Sequence, residues 1–197
     1  GVPFDGTPGP LNAITDVRGV EVGHTTVIQG AGVRTGVTAI LPRGRGSDDP
    51  VFAGWFPLNG HGELTGTAYL DEFGALETPV LLTGTHSVGV VRDAVIAYKV
   101  RGGRPDPTGY WWSLPVVGET YDGYLHDANG FHVRPAHVFA ALDGARGGPV
   151  AEGSVGGGTG MVCHEWKGGI GTASRVVKTP PGRYTIGVLV QCNYGRR

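Results

Sequence analysis

Cysteine, net charge and long apolar runs are all scarce in this chain of 197 residues. Its two cysteines, Cys163 and Cys192, are too few for the disulfide framework that stabilises small secreted domains. Sixteen Lys and Arg residues nearly balance seventeen Asp and Glu residues, which argues against a nucleic-acid-binding surface. No apolar run approaches the ~20 residues of a membrane-spanning helix. These absences favour a globular protein that binds neither nucleic acid nor a membrane.

The cysteines also bear on the cellular compartment. Both lie in apolar, strand-like segments, so we predict buried free thiols in a reducing compartment. The N-terminal segment, GVPFDGTPGPLNAI, has neither the basic nor the apolar stretch of a signal peptide, although a removed one would leave no trace. We therefore expect a cytosolic protein.

Glycine and proline are abundant. The chain has 37 glycines and 14 prolines, yet 40% of its residues are apolar and periodic segments recur. This combination predicts one compact, loop-rich domain over residues 1–197 rather than disorder.

Apolar periodicity and β-branched residues predict a mixture of strands and helices without a strict β-α-β alternation. This order favours a layered α/β sandwich with mixed sheets over a Rossmann fold. The predicted strands cover residues 20–28, 35–41, 79–83, 161–165, 171–178 and 184–192, and residues 51–56 are predicted to form a short strand or a turn. The predicted helices cover 62–73, 87–99 and 135–142.

The glycine cluster at Glu152–Met161, EGSVGGGTGM, does not match a nucleotide-binding loop. It lacks both the Lys-Ser/Thr ending of a phosphate loop and the spacing of a dinucleotide fingerprint. Two interpretations stay open: tight turns where sheet and helix layers touch, or backbone that shapes a substrate cleft. The seven histidines show no metal-ligand spacing, so we expect neither a metal nor a cofactor.

Ser87 follows a predicted strand and opens a predicted helix, as the serine of a nucleophile elbow does. Thr85 stands where the first glycine of that elbow belongs, so we favour a helix N-cap for Ser87.

The stretch Trp111–Asp127, which includes Glu119 and Tyr121, combines aromatic rings with a carboxylate and is broken by proline and glycine. It could form a pocket for an ammonium group, with Glu119 as counter-ion. The alternative is an aromatic loop at the rim of the core with Glu119 in water, and spacing alone favours this loop. Asn193, at the end of a predicted strand, is either a donor to an oxyanion or an ordinary turn residue, and the two interpretations are evenly balanced.

The glycine-rich segments together resemble the L-aminopeptidase/D-Ala-esterase-amidase family, which is of DmpA type and includes the β-aminopeptidases. Typical matching segments are NGHGELTG, LTGTHSVGVV, LPVVGETYDG and YTIGVLVQCNYG. The match runs in order along nearly the whole chain. It implies an αββα-like four-layer sandwich of the N-terminal-nucleophile hydrolases.

The resemblance also implies an activity. Members are made as a precursor that cleaves itself before a serine, which becomes the nucleophile at the N-terminus of a smaller β chain. This chain would then be the α subunit, partnered by that β chain and assembled into homo-oligomers, most simply tetramers. The substrates would be short peptides, amides or esters. Alternatives are an amidase, lactam or acyl-amino hydrolase of the same fold, or a non-catalytic binding module.

Four site residues follow from the resemblance by position. Asn193 matches the asparagine that stabilises the oxyanion, and Tyr121 the tyrosine that polarises the scissile carbonyl. Glu119 matches the acidic residue that holds the substrate amine, and Trp112 matches a pocket wall. Ser87 becomes a structural cap. The nucleophilic serine is expected on the β chain, so we expect this chain alone to be inert.

Overall fold

A computed structural model of the protein describes residues 5–47, 49–102, 108 and 112–196. Two helices cover one face of a four-stranded sheet, and a long hairpin lies on the other side. The strands are β1 Glu21–Gln29, β2 Val33–Leu41, β3 Val51–Phe52, β4 Ala75–Leu76, β5 Val80–Gly84, β6 Val116–Thr120, β7 Val162–Cys163, β8 Trp166–Lys167, β9 Gly169–Thr179 and β10 Gly182–Cys192. The helices are α1 Thr67–Phe73, α2 Val88–Gly102 and α3 Pro135–Asp143.

The central sheet is mixed, as the sequence predicts. Its strand order is β1-β2-β5-β6, in which the first two pairings are antiparallel and the β5–β6 pairing is parallel. The parallel pair is joined by a connection that contains α2, since parallel strands need a long crossover. The carboxyl ends of β5 and β6 therefore lie at the same edge of the sheet.

The apolar core lies between this sheet and the helices α2 and α3. In α2, Val88, Val91 and Val95 are buried at the spacing of one helical face. They pack into one cluster with sheet and α3 side chains, which include Val37, Leu81, Val117, Val138 and Leu142.

A buried 3₁₀ turn, Gly156–Gly160, connects the sheet to the hairpin β9–β10. The Gly156 N–H donates to Thr26 Oγ1 at 2.9 Å, and the Gly157 N–H donates to Thr38 Oγ1 at 3.1 Å. On the hairpin side, Gly158 approaches the backbone of β9. The glycine cluster thus forms a tight turn between two layers, as one of the two interpretations predicted. The layers are the sheet and the hairpin, however, and not a sheet and helices.

The hairpin β9–β10 has one inward and one outward face. Thr185, Gly187 and Leu189 alternate with residues that point outward, and Gly187 packs against the backbone of Ile14. The outward row of β10 is apolar and about half exposed: Tyr184 53%, Ile186 55%, Val188 49% and Val190 49%.

Several element boundaries differ from the sequence predictions because of left-handed backbone. The helix expected over 62–73 begins only at Thr67, because Gly66 has φ 75°. The strand expected over 161–165 ends at Cys163, because His164 and Glu165 form the turn to β8 with φ 48° and 64°. Residues 51–56, expected to form a short strand or a turn, form a strand only at Val51–Phe52, and no left-handed residue lies in that segment.

Strand β6 lies in the segment interpreted as a broken aromatic loop. Pro115 directly precedes the strand and so removes no N–H from its interior. Gly118 lets Leu82 and Leu64 pack close to the strand, within 3.3 Å of where a Cβ would stand. Trp111 lies outside the described residues.

Two further observations concern the burial of the cysteines and the length of the helices. Cys163 and Cys192 have free thiols but are half-buried rather than buried. Over the described part of the chain, no helix combines the length and apolar character needed to cross a bilayer.

The glycine turn generates a stability prediction. A Cβ on Gly158 would lie 2.6 Å from the Ile170 nitrogen, so Gly158→Ala should force backbone layers apart. We expect the free energy of unfolding of the full-length protein to fall by about 1–3 kcal/mol or more. Gly147→Ala is the matched control because nothing lies within 4 Å of its Cβ position. Equal urea-unfolding midpoints for the two variants would contradict this account of the packing.

Candidate active site

A half-buried side chain, that of Gln191, joins the ends of β6 and β10. Gln191 Nε2 donates to Thr120 Oγ1 at 2.7 Å and to the Thr83 carbonyl oxygen at 3.3 Å. The Thr120 hydroxyl in turn donates to Met161 Sδ at 2.9 Å. Because Thr120 precedes Tyr121 and Gln191 stands two residues before Asn193, these bonds bring the two predicted site residues to one edge of the molecule.

Tyr121 and Asn193 line the same open cleft, of about 610 Å³. Tyr121 is 47% exposed, and its ring meets that of Tyr124 edge to face with centroids 5.5 Å apart. Other residues that line the cleft are Val162, Glu165, Tyr194 and Arg196.

The amide of Asn193 is oriented by the backbone of β7. The Val162 N–H donates to Asn193 Oδ1 at 3.1 Å. Since Oδ1 accepts this bond, Nδ2 is the group through which the side chain donates. Asn193 is thus built to present a hydrogen-bond donor, the property that an oxyanion requires.

The turn that contains Tyr121 is anchored to β2 by the buried carboxylate of Asp122. Asp122 is 2% exposed, and its Oδ2 accepts a hydrogen bond from Thr35 Oγ1 at 2.7 Å. A Cβ on Gly123 would lie 2.4 Å from the Tyr121 ring, so a larger residue there would displace that ring from its present position. Nearby, burial lowers the pKa of His126, and the charge of Asp122 partly offsets that effect.

Glu119 is held through both carboxylate oxygens. Thr85 Oγ1 donates a short hydrogen bond to Oε2, and the Glu63 N–H donates to Oε1 at 3.3 Å. Thr85 follows β5, and Glu119 is near the end of β6. A carboxylate retains acceptor capacity after two such bonds, so Glu119 can still receive a cationic partner.

Trp112 lies away from the cleft that Tyr121 and Asn193 line. It is 51% exposed, and its ring meets Tyr69 of α1 edge to face with centroids 5.7 Å apart. In this chain it therefore borders a separate small pocket with Leu70 and Leu114. Its role as a wall of the substrate pocket stays a prediction.

Ser87 also lies outside the cleft. It ends the 3₁₀ turn Thr85–Ser87 directly before α2 and is 7% exposed. It borders a different depression, with Phe131 and Val133. Its position at the start of a helix agrees with the structural interpretation, while the predicted capping bond stays a prediction.

Sequence reasoning missed the residues that assemble the site: Gln191, Thr120 and Thr85. Gln191 carries a recognisable signal, because it is a polar side chain at an inward position of an otherwise apolar strand. Thr120 and Thr85 carry none, since threonine is ordinary at strand ends. Among the residues that the structure describes, no three His, Cys, Asp or Glu side chains gather as metal ligands would.

Comparison with known proteins finds relatives along the whole chain. The model of peptidase family S58 matches residues 12–197. Beta-peptidyl aminopeptidase BapA of Sphingosinicella microcystinivorans is 57% identical over 205 residues, covering 100% of this chain and 51% of that protein. The chain spans about half the length of the curated relatives it matches.

Two solved structures share the fold. A beta-aminopeptidase of Burkholderia sp. superposes with a TM-score of 0.92 at 55% identity, covering 98% of this chain and 55% of that one. The L-aminopeptidase D-Ala-esterase/amidase of Ochrobactrum anthropi superposes at 0.94 with 46% identity, covering 100% and 57%. The latter is described as a new variant among the Ntn hydrolase fold, so the fold class expected from the sequence is confirmed.

Proposed function

The chain belongs to peptidase family S58, and from this membership we propose that it is the α chain of a self-cleaving serine aminopeptidase. The enzyme removes N-terminal residues from short peptides, amides or esters. The observation that carries the proposal is the pairing of Tyr121 with the oriented amide of Asn193 on one open cleft. Two hydrogen-bond donors on one cleft are what stabilisation of an oxyanion in acyl transfer needs.

The nucleophile is the N-terminal serine of a second, β chain, released when the precursor cleaves itself. Its own α-amine or a nearby side chain accepts the hydroxyl proton as the oxygen attacks the scissile carbonyl. The negative charge that develops on the carbonyl oxygen is stabilised by Asn193 Nδ2 and the Tyr121 hydroxyl. Collapse of this intermediate releases the amine or alcohol with that proton, and water then hydrolyses the acyl-enzyme.

The exposed apolar face of the hairpin β9–β10 supports the proposal that a second chain binds there. The outward row of β10 holds four apolar side chains that are each about half exposed. Burying such a row stabilises an interface, at roughly 25 cal/mol for each Å² of apolar surface removed from water. The β chain covers this face, and the αβ units assemble further as a cytosolic homo-oligomer, most simply a tetramer.

Glu119 receives the free amino group of the substrate. Thr85 and the Glu63 N–H hold its carboxylate in one orientation, so little side-chain entropy is lost when the amine binds. Trp112 borders a separate pocket in this chain, so its place as a wall of the amine pocket rests on the family resemblance alone. The similarity to two proteins named for β-peptides or β-amino residues supports N-terminal β-amino residues among the substrates.

The first test is the intact mass of the protein purified from its full-length gene. We expect two chains, the smaller beginning with serine, and hydrolysis of β-alanyl and L-alanyl anilides. Replacing that serine with alanine should leave one uncleaved chain, which is the matched control. A single chain from the unaltered gene, without hydrolysis, would overturn the proposal in favour of a binding module.

Asn193→Asp tests the proposed oxyanion donor, Nδ2, while it keeps the oxygen that accepts from the Val162 N–H. The aspartate keeps an acceptor for the Val162 N–H but loses the Nδ2 donor. We expect kcat to fall by about 10²–10³-fold, the usual cost of one such donor, with KM little changed. Steady-state kinetics of the mature enzyme measure this, and Asn59→Asp, on an exposed loop, is the control. Unchanged kcat would remove Asn193 from the chemistry.

Glu119→Gln tests the amine site, because the amide keeps the shape of the side chain but not its charge. We expect KM for a β-alanyl ester to rise about tenfold or more, the equivalent of losing a charged hydrogen bond of ~1.5 kcal/mol. The same ester with its amine acetylated should be affected far less. Glu63→Gln is the matched control, since it removes an exposed carboxylate next to the site. Equal changes for both esters would dismiss Glu119 as the counter-ion.

A further inference from the structure

The ammonium group of Lys167 is surrounded by backbone carbonyls beside the candidate site. Lys167 Nζ donates to the carbonyl oxygens of Met161 at 3.1 Å, Gly168 at 3.2 Å and Gly158 at 3.4 Å. No carboxylate among the described residues forms an ion pair with it. Three acceptors match the three N–H donors of a protonated lysine, so the positive charge is directed at the backbone that joins the glycine turn to β7.

The short hairpin of β7 and β8 places Lys167 at this position. Val162 pairs with Lys167 in the antiparallel register of the two strands. The intervening residues, His164 and Glu165, both have left-handed backbone, with φ 48° and 64°, as the two central residues of a type I′ turn do. Lys167 therefore lies directly opposite Val162, the residue whose N–H orients Asn193.

The Met161 carbonyl and the Val162 N–H belong to the same peptide group. The carbonyl oxygen accepts from Lys167 and also from the Gly168 N–H at 2.8 Å, while the N–H donates to Asn193 Oδ1 at 3.1 Å. A peptide group is planar and delocalised, so a cation at its oxygen draws electron density from its nitrogen and strengthens the N–H as a donor. The same holds for the side-chain amide of Asn193, whose Nδ2 becomes a better donor when Oδ1 accepts a stronger bond.

We propose that Lys167 is a positioning residue, whose charge acts through the Met161–Val162 peptide group to hold Asn193 and to strengthen its Nδ2 as an oxyanion donor. The effect on the rate of hydrolysis rests on the function proposed above, whereas the chain of hydrogen bonds does not. Lys167 itself touches no reacting atom. It sets the direction and the polarity of the group that does.

A second chain over this region leaves the arrangement intact. Lys167 is exposed in this chain and lines a depression with Val190 and Cys192 of β10, on the hairpin that the proposed β chain covers. Desolvation lowers the pKa of Lys167 below its ordinary value, but three carbonyl partners favour the ammonium over the neutral amine, which has only two N–H donors. Exclusion of water also reduces screening of the charge, so the effect on Asn193 is strongest in the mature enzyme.

Lys167→Met tests the charge, since methionine keeps an unbranched apolar stem but has neither the charge nor the donors. We expect kcat of the mature enzyme on a β-alanyl anilide to fall about tenfold, with KM changed less than about twofold. The fall is smaller than the roughly 10²–10³-fold cost of losing an oxyanion donor, because the Gly168 N–H still holds the Met161 carbonyl. Lys167→Arg, which keeps a cation, should retain more of kcat. Lys178→Met, near the exposed tip of the hairpin, is the matched control.

A double-mutant cycle distinguishes this role from general support of the fold. Where Asn193 is already replaced by alanine, Lys167→Met should change kcat by less than about twofold, because Lys167 acts through Asn193. An equal loss of kcat in both backgrounds would overturn the proposal, and so would an unchanged kcat in Lys167→Met alone.

Hydrogen exchange gives a readout that needs no activity. The segment 162–164 contains the Val162 N–H, and we expect it to exchange faster in Lys167→Met than in the unaltered protein or in Lys178→Met. Lys167→Gln, which keeps N–H donors without the charge, takes the place of Lys167→Met should that variant fail to fold or to mature. Unchanged exchange would refute the chain of hydrogen bonds. If the unaltered protein hydrolyses nothing, the proposed function fails, while the exchange data still decide whether Lys167 acts on the Val162 N–H.

Discussion

The structure depends on one close backbone approach, that of the glycine turn Gly156–Gly160 to the layers on either side of it. A Cβ on Gly157 would lie 2.2 Å from Gln191 Oε1 and 2.6 Å from the Leu82 carbonyl oxygen. Only glycine lets sheet and hairpin meet at this separation. Gln191 can form its hydrogen bonds to β5 and β6 only when the hairpin lies this close to the sheet. The close packing of the two layers is therefore also the condition for assembly of the site.

The site that results is a set of oriented polar groups at strand ends. Each candidate group takes its direction from a neighbour: Asn193 from the Val162 N–H, and Glu119 from Thr85. Such support lowers the cost of reorganisation when charge develops, which is the main way that donors accelerate acyl transfer.

Part of the fold was predictable because it is locally encoded. The strands of the final hairpin and the helices α2 and α3 follow from apolar periodicity, and their boundaries came within a few residues. Strand β6 was missed because Pro115 and Gly118 are typical of loops, yet pairing with β5 overrides local preference. The start of α1 was misplaced because the left-handed conformation of Gly66 is not visible in a periodic pattern.

The sequence by itself determined the family, the fold class and the identity of the candidate residues, since these are carried by long motifs that need no knowledge of packing. Only the tertiary structure decided which of them meet. Gln191 and Thr120 are hydrogen-bonded although they are 71 residues apart along the chain. Cys163 and Cys192 are in contact although they are 29 residues apart. The tertiary structure placed Tyr121 and Asn193 on one cleft and Trp112 beside a separate pocket. Distances between residues remote in sequence are set by how the layers pack, whereas periodicity encodes only local structure.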